Sequence, residues 1–415
     1  MLSRTFRPPG LIVTEHTLEV PLDHGSPRAE RIEVFARAVV AVDKASNDLP
    51  WLLFLEGGPG FEAPRPDRRD THAWLDRALH DYRVLLLDQR GMGRSTPVGP
   101  ADALHLSPEA LADRLAFYRA DSIVRDAEAF REALDIDRWS LLGQSFGGFC
   151  STTYLSLFPG SLREAFLTGG LPPLDRGIDE VYALTYRTTL TKTRRYYERY
   201  PDDRKRVAEL VAILDDEDVR LPGGDRLTAR RLRTLGHGLG MGPGAERLHH
   251  VIELPWRSPA FLHDVEQASP FPRNPLYAAV HESCYAPGRA TRWSAERMLP
   301  ADFAEDPTLL TGEHVFPWMF EDIAALAPFR EAAHLLAERE WGPLYDPEVL
   351  AHNEVPVAAA VYVEDMYVPR ELSEETAGRI RGLRMWLTNE YEHDGIRAGG
   401  PHVLDRLISL ARGNA

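Results

Sequence analysis

Two kinds of hydrophobic run alternate along the first part of this chain. Residues 51–55 (Trp51-Leu-Leu-Phe-Leu55), 83–88 (Arg83-Val-Leu-Leu-Leu-Asp88) and 139–142 are continuous apolar runs, the pattern of strands covered on both faces. Between them stand helical patterns. Residues 121–134 carry Ile123, Ala127, Phe130 and Leu134 on one face behind Asp121 and Ser122 as N-caps, and Phe149, Tyr154, Leu155 and Phe158 follow the third run at helical spacing. Residues 10–42 alternate instead, as in Leu18-Glu-Val-Pro-Leu22, and predict an antiparallel lead-in. Another strand ends at residues 165–170. Strands alternating with helices imply a mostly parallel sheet with helices on both faces, an α/β fold.

After about residue 172 the texture changes. Through residue 353 the chain reads as helical, most clearly at 182–200 and 203–214, with loops rich in proline and glycine. Apolar strands return only at 356–363 and 383–388, both read as buried, and residues 403–411 close the chain as a helix. The simplest organisation is an α/β core made of residues 1–170 and 355–415, interrupted by a helical domain at 171–354. An insertion so placed would lie over the carboxyl ends of the strands, where ligands bind in such sheets.

Composition narrows the partners. The 415 residues carry 48 basic and 63 acidic side chains, a formal charge of −15. Such a surface has no evident means of neutralising phosphates, so nucleic acid is excluded as a partner, and cationic substrates are mildly favoured. Cys150 and Cys284 are the two cysteines, no disulfide framework, which fits a reducing cytoplasm. Residues 1–10 hold Arg4 and Arg7 but no apolar run, and no apolar run approaches the length needed to span a bilayer. The expectation is a soluble cytoplasmic protein with no membrane partner.

The chemistry is most legible at Gly143-Gln-Ser-Phe-Gly147. A G-x-S-x-G stretch between a strand and a helix is the setting of a nucleophile elbow. Its sharp turn strains the serine backbone, and glycines two residues either side let strand and helix pass closely. Ser145 is the expected nucleophile, with the N–H of Phe146 as one oxyanion donor. Gly57 and Gly58, after the first buried strand, lie where a second donor belongs, and Gly58 is the choice.

A serine needs a base, and the base an orienting acid. In sheet-based hydrolases the order is Ser, acid, His, each at a strand end. Asp365 and His393 occupy those places, with Glu364 or Asp394 as rival acids and His402 as rival base. The glycine-rich run Gly236-His-Gly-Leu-Gly-Met-Gly242 follows a helical stretch and fits no phosphate-loop pattern. It reads as a flexible or tightly packed loop. Neither His237 nor the pair His249 and His250 has metal-ligand spacing.

Taken together these residues resemble the prolyl iminopeptidases, serine peptidases of the α/β-hydrolase fold. The likeness lies in Gly57-Gly-Pro-Gly60, Asp88-Gln-Arg-Gly-Met-Gly-Arg-Ser95 and Gly143-Gln-Ser-Phe-Gly-Gly148. In the insertion, residues 223–228, 238–241, 279–285 and 316–321 look like those of the longer members, so the resemblance covers nearly the whole chain. Residues 390–397 resemble the stretch that carries the family's catalytic histidine and favour His393 over His402. Glu56 departs from shorter members, which have histidine there.

The resemblance implies removal of an N-terminal proline from short peptides, with an inserted cap and no metal or organic cofactor. A protonated chain end needs a carboxylate in an enclosed site. Glu282 lies in the stretch resembling the family's amine-binding glutamate, and Glu313 is the second choice. Phe146, Cys284 and Tyr285 are possible walls for the proline ring. An esterase or amidase on the same triad is the alternative enzyme, and a non-catalytic ligand-binding hydrolase fold the alternative of another class.

Overall fold

In a computed structural model, which describes all residues but 27, 29, 67–72 and 415, the chain builds a nine-stranded sheet. The strands are β1 (Leu2–Phe6), β2 (Leu11–Pro21), β3 (Arg31–Ala41), β4 (Trp51–Leu55), β5 (Arg83–Asp88), β6 (Trp139–Gln144), β7 (Leu162–Thr168), β8 (Val357–Tyr362) and β9 (Leu383–Thr388). Their order is β1-β2-β3-β5-β4-β6-β7-β8-β9. The lead-in strands pair antiparallel with each other and with β5, and β4 to β9 run parallel.

The apolar runs became central strands because both faces of the sheet are covered. One face packs against helices Ala120–Ala133 and Phe146–Leu157, the other against helices Ala73–Asp81 and Pro401–Ala411. Alternate residues of one strand serve different cores: Leu53 and Leu55 join the first cluster, Leu52 and Phe54 the second.

Three expectations need correction. β1 was not foreseen; it extends the lead-in by pairing with β2, and each of its residues is exposed. β9 is not a buried strand but the sheet's edge, with Met385 36% and Leu387 40% exposed. The helix expected to start behind Asp121 and Ser122 starts at Ala120. Its N-cap is Arg119, whose side chain makes no capping bond, so the two polar residues sit inside the first turn. Asp121 there still faces the positive end of the helix dipole.

Between β7 and β8 the described residues form helices and turns, from Ile178–Arg199 to Pro347–Ala351, with one isolated bridge between Arg220 and Arg226. Their apolar residues join the first core cluster, for instance where the Tyr285 ring meets Phe149 edge-on at 5.2 Å. They touch the loops beyond β4, β8 and β9. The Tyr277 backbone packs against Gly60, the Tyr285 hydroxyl donates to the Tyr367 carbonyl, and the His393 N–H donates to the Gly240 carbonyl. Among the described residues no helix is long and apolar enough to cross a membrane.

Candidate active site

Sheet topology decides which loops meet. β4 is the switch point, with β5 on one side and β6 on the other, and such points open a crevice at the carboxyl ends. Because Leu55 pairs with Gly143, the loop after β4 lies beside the turn after β6. A methyl group on Gly57 would come within 3.1 Å of Ser145 Cβ.

Ser145 sits at the tip of that turn with φ 54° and ψ −122°. A non-glycine residue held there stores on the order of 1–3 kcal/mol, so its surroundings must impose the conformation. They do so through close packing. A side chain on Gly147 would enter the Leu55 carbonyl, and one on Gly148 the Gly170 carbonyl. The Ser145 N–H donates to the Thr168 carbonyl at 2.9 Å, and the Gly148 N–H to the Ser145 carbonyl at 2.7 Å.

His393 reaches this serine from beyond β9, three strands away. It passes over the end of β7, where Gly169 has φ 56° and a methyl group would stand 3.1 Å from His393 Nδ1. His393 Nε2 lies 2.8 Å from Ser145 Oγ, and Nδ1 lies 2.7 Å from Asp365 Oδ2. With Nδ1 carrying the proton toward the carboxylate, Nε2 is free to accept from the serine hydroxyl. The other Asp365 oxygen accepts the N–H groups of Tyr367 at 2.8 Å and Val368 at 3.0 Å. Burial alone would lower the His393 pKa; the charge and hydrogen bond of Asp365, helped by Glu313, turn the net shift upward.

The rivals lie elsewhere. Glu364 pairs with Arg195 at 2.5 Å, Asp394 accepts the Gly242 N–H at 2.9 Å, and His402 stands edge-on to Trp386 at 5.9 Å.

Of the possible oxyanion donors, Gly57 already donates its N–H to Glu56 Oε1 at 2.9 Å. That leaves Gly58 on this loop. Phe146 opens helix Phe146–Leu157, where the first N–H groups have no partner within the helix. Glu56 also pairs with Arg397 at 2.7 Å, and its carbonyl accepts the Gln89 side chain at 2.9 Å. The carboxylate at this departure from shorter members therefore ties the loop after β4 to the segment carrying His393. Sequence reasoning missed Arg397, although Glu56 was the signal that could have led to it.

The two glutamates differ in setting. Glu282 is buried and turned to the chain: Oε1 accepts the Ala295 N–H at 2.9 Å and Oε2 the Ser294 N–H at 3.3 Å. Glu313 is half-buried, accepts the Tyr277 hydroxyl, and lies in the electrostatic field of both His393 and Asp365. Burial raises each carboxyl to about 7. For Glu282 the backbone N–H groups oppose it, and for Glu313 Tyr277 and His393 do. Tyr182, whose buried hydroxyl has no partner, feels both charges. Cys284 is buried and free, Phe146 packs edge-on against Phe149, and Tyr285 sits among Phe149, Tyr182 and His281. Among the described residues no three His, Cys, Asp or Glu side chains are grouped to hold a metal ion.

Residues 50–321 match the α/β hydrolase fold family. The chain is 50% identical to a proline iminopeptidase of Aeromonas sobria over 97% of both chains. It is 35% identical to one of Aspergillus aculeatus over 96% of this chain and 93% of that one. The chain belongs to the proline iminopeptidases of the α/β hydrolase fold. Not every member matches throughout: a probable proline iminopeptidase of Streptomyces coelicolor is 37% identical over 28% of this chain and 32% of its own.

Proposed function

We propose that this proline iminopeptidase family member is a serine exopeptidase that releases N-terminal proline from short peptides in the cytoplasm. The observation that carries the reading is Glu313, a half-buried carboxylate of the insertion that accepts the Tyr277 hydroxyl and lies within electrostatic reach of His393 and Asp365. A serine relay alone serves any acyl transfer; a half-buried carboxylate near it suits an acyl group bearing a cation.

In the proposed mechanism the insertion, residues 171–354, is a cap domain on a core of residues 1–170 and 355–415. Glu313 receives the protonated amine of the terminal proline, with Glu282, whose charge like that of Glu313 reaches Tyr182, as a second carboxylate. Phe146, Cys284 and Tyr285 wall the ring. His393 takes the proton from Ser145 as Oγ attacks the proline carbonyl, and the N–H groups of Phe146 and Gly58 hold the oxyanion. Asp365 keeps the imidazole in the required tautomer. The proton passes to the leaving peptide amine, and water activated by the same histidine then frees proline from the acyl-enzyme. Two free cysteines support the reducing compartment.

The test is a panel of aminoacyl chromogenic amides, with a peptide pair carrying proline either at a free N-terminus or in the interior. The expected result is preference for proline over alanine, leucine and glycine, and cleavage at the free terminus only. Efficient cleavage beside the internal proline would sink the exopeptidase reading.

A further inference from the structure

We propose that the glycine-rich turn of the cap, through Gly240 and its neighbour Tyr367, positions His393, so that the base is aligned only while this turn is seated on the loops after β8 and β9. The inference rests on the reading of His393 as the base.

His393 lies five residues beyond the end of an edge strand, and its own peptide groups are held from two sides. Its N–H donates to the Gly240 carbonyl at 3.1 Å, and its carbonyl accepts the Gln144 side chain at 3.2 Å. The residues on either side are also held by the cap: Asp394 accepts the Gly242 N–H at 2.9 Å, and Glu392 pairs with the buried amine of Lys192. Of the bonds to these backbone groups and side chains, the elbow strand supplies one and the cap three.

Tyr367 joins acid, base and cap. Its N–H donates to Asp365 Oδ1, its ring stands edge-on to the His393 imidazole at 4.7 Å, and its hydroxyl donates to the His237 carbonyl. Its carbonyl in turn accepts the Tyr285 hydroxyl at 3.1 Å. The ring fits only because residue 240 has no side chain: a methyl group there would overlap the Tyr367 ring, whereas one on Gly238, two residues earlier, would meet nothing within 4 Å. This explains the glycine at 240; residues Thr234–Gly240 form a 3-10 turn. A displacement of about 1 Å at a catalytic group costs on the order of 10²-fold in rate, so a turn that sets the height of His393 has leverage over the chemistry.

The experiment compares Gly240→Ala, Gly238→Ala and Tyr367→Phe, with folding checked by near-UV circular dichroism. Rates are measured against pH on a simple ester that carries no amine. Besides Tyr367, whose hydroxyl burial keeps protonated, the charged and titratable groups facing His393 are Asp365, Glu313, His237 and Arg397. All four remain in each variant, so a change in the acid limb reports the contact between His393 and Asp365. That contact raises the imidazole pKa, so loosening it moves the limb to lower pH. Gly240→Ala is expected to lower kcat about 10- to 100-fold with the limb displaced downward, Tyr367→Phe to do the same more weakly, and Gly238→Ala to match the parent.

A folded Gly240→Ala variant with parental kcat would overturn the proposal, and so would a loss of rate with an unmoved limb, which marks a merely structural defect. If Gly240→Ala does not fold, Tyr367→Phe decides by the same two criteria. His393→Ala separates the underlying reading: full activity there refutes His393 as base, whereas an inactive His393→Ala beside an unaffected Gly240→Ala refutes the positioning alone.

Discussion

The serine and the histidine of the candidate site are held in place by different means. Around Ser145 the constraint is local. Glycines at 143, 147, 148 and 170 bring backbone against backbone, and the strained serine is fixed by residues within a few positions of it or on the next strand. His393 stands on a loop beyond an edge strand and is held by side chains and by a cap turn more than 150 residues earlier in the chain. Ser145 is thus held by the sheet, while His393 and its neighbour Asp394 also take bonds from residues of the insertion. Glu313 lies in the same insertion, so the proposed selectivity and the proposed alignment of the base would reside in one piece of chain.

The widest test of this contrast removes each partner. Ser145→Ala should lower kcat on a proline amide by about 10⁴-fold or more, and His393→Ala by a similar amount, since such groups act as a unit. His402→Ala should stay within a few-fold. A reversed pair of histidine results would show that the loop after β9 does not carry the base.

Next comes the division between chemistry and selectivity. Glu313→Gln should lower kcat/KM on proline amides about 10²-fold and leave a simple ester nearly untouched, since only the amide substrate loses a charge-assisted contact. Glu282→Gln should affect proline amides less. Equal damage to amide and ester by Glu313→Gln would make that residue structural.

A third test uses stability. Folded Glu313 keeps its proton to about pH 7, whereas in the unfolded chain it releases it near 4.5. Between those values the unfolded state binds fewer protons, so this group weakens the fold as pH rises. Glu313→Gln should therefore melt a few degrees above the parent at pH 8, with the difference vanishing below about pH 4. A variant less stable than the parent at pH 8 would contradict the strained carboxylate.

The smallest expected effect is at Glu56. Glu56→Gln keeps an acceptor for the Gly57 N–H and weakens the pair with Arg397, whose side chain is 45% exposed. Glu56 itself is buried, but the neutral amide leaves no unpaired charge there and keeps the Gly57 contact, so kcat should change by no more than about threefold. A larger loss would mean that the loop after β4 relies on this link rather than on its own backbone packing.

How much of this was legible in the sequence follows the same divide. The elbow could be read because its requirements are local: two glycines, a serine, a strand before and a helix after. The strand-end positions of Asp365 and His393 could be read because β8 and β9 are apolar and their order is fixed by the fold. The exposure of β9 was not legible, since Met385 and Leu387 look the same on an edge strand as in a core. The roles of Gly240, Tyr367 and Arg397 were hidden for a related reason. Each acts through a partner on a distant segment, and nothing in the spacing of Gly236-His-Gly-Leu-Gly-Met-Gly242 says which of its glycines has a ring against it. The partners of Glu282 and Glu313 were likewise not legible, since they depend on where each carboxylate points, which helical spacing within a proline-broken insertion does not determine.

The hydrogen bond between Ser145 and His393 spans 248 positions, while that between His393 and Asp365 spans 28. During synthesis at about 5–20 residues per second, roughly 12–50 s therefore separate the appearance of the nucleophile from that of its base. For all that time the nascent chain carries an elbow with nothing to activate it. Residues 171–354 are already made by then, so the segment carrying His393 is the one that completes the relay. A peptidase assembled in this order stays inert toward its neighbours on the polysome until residue 393 has been made.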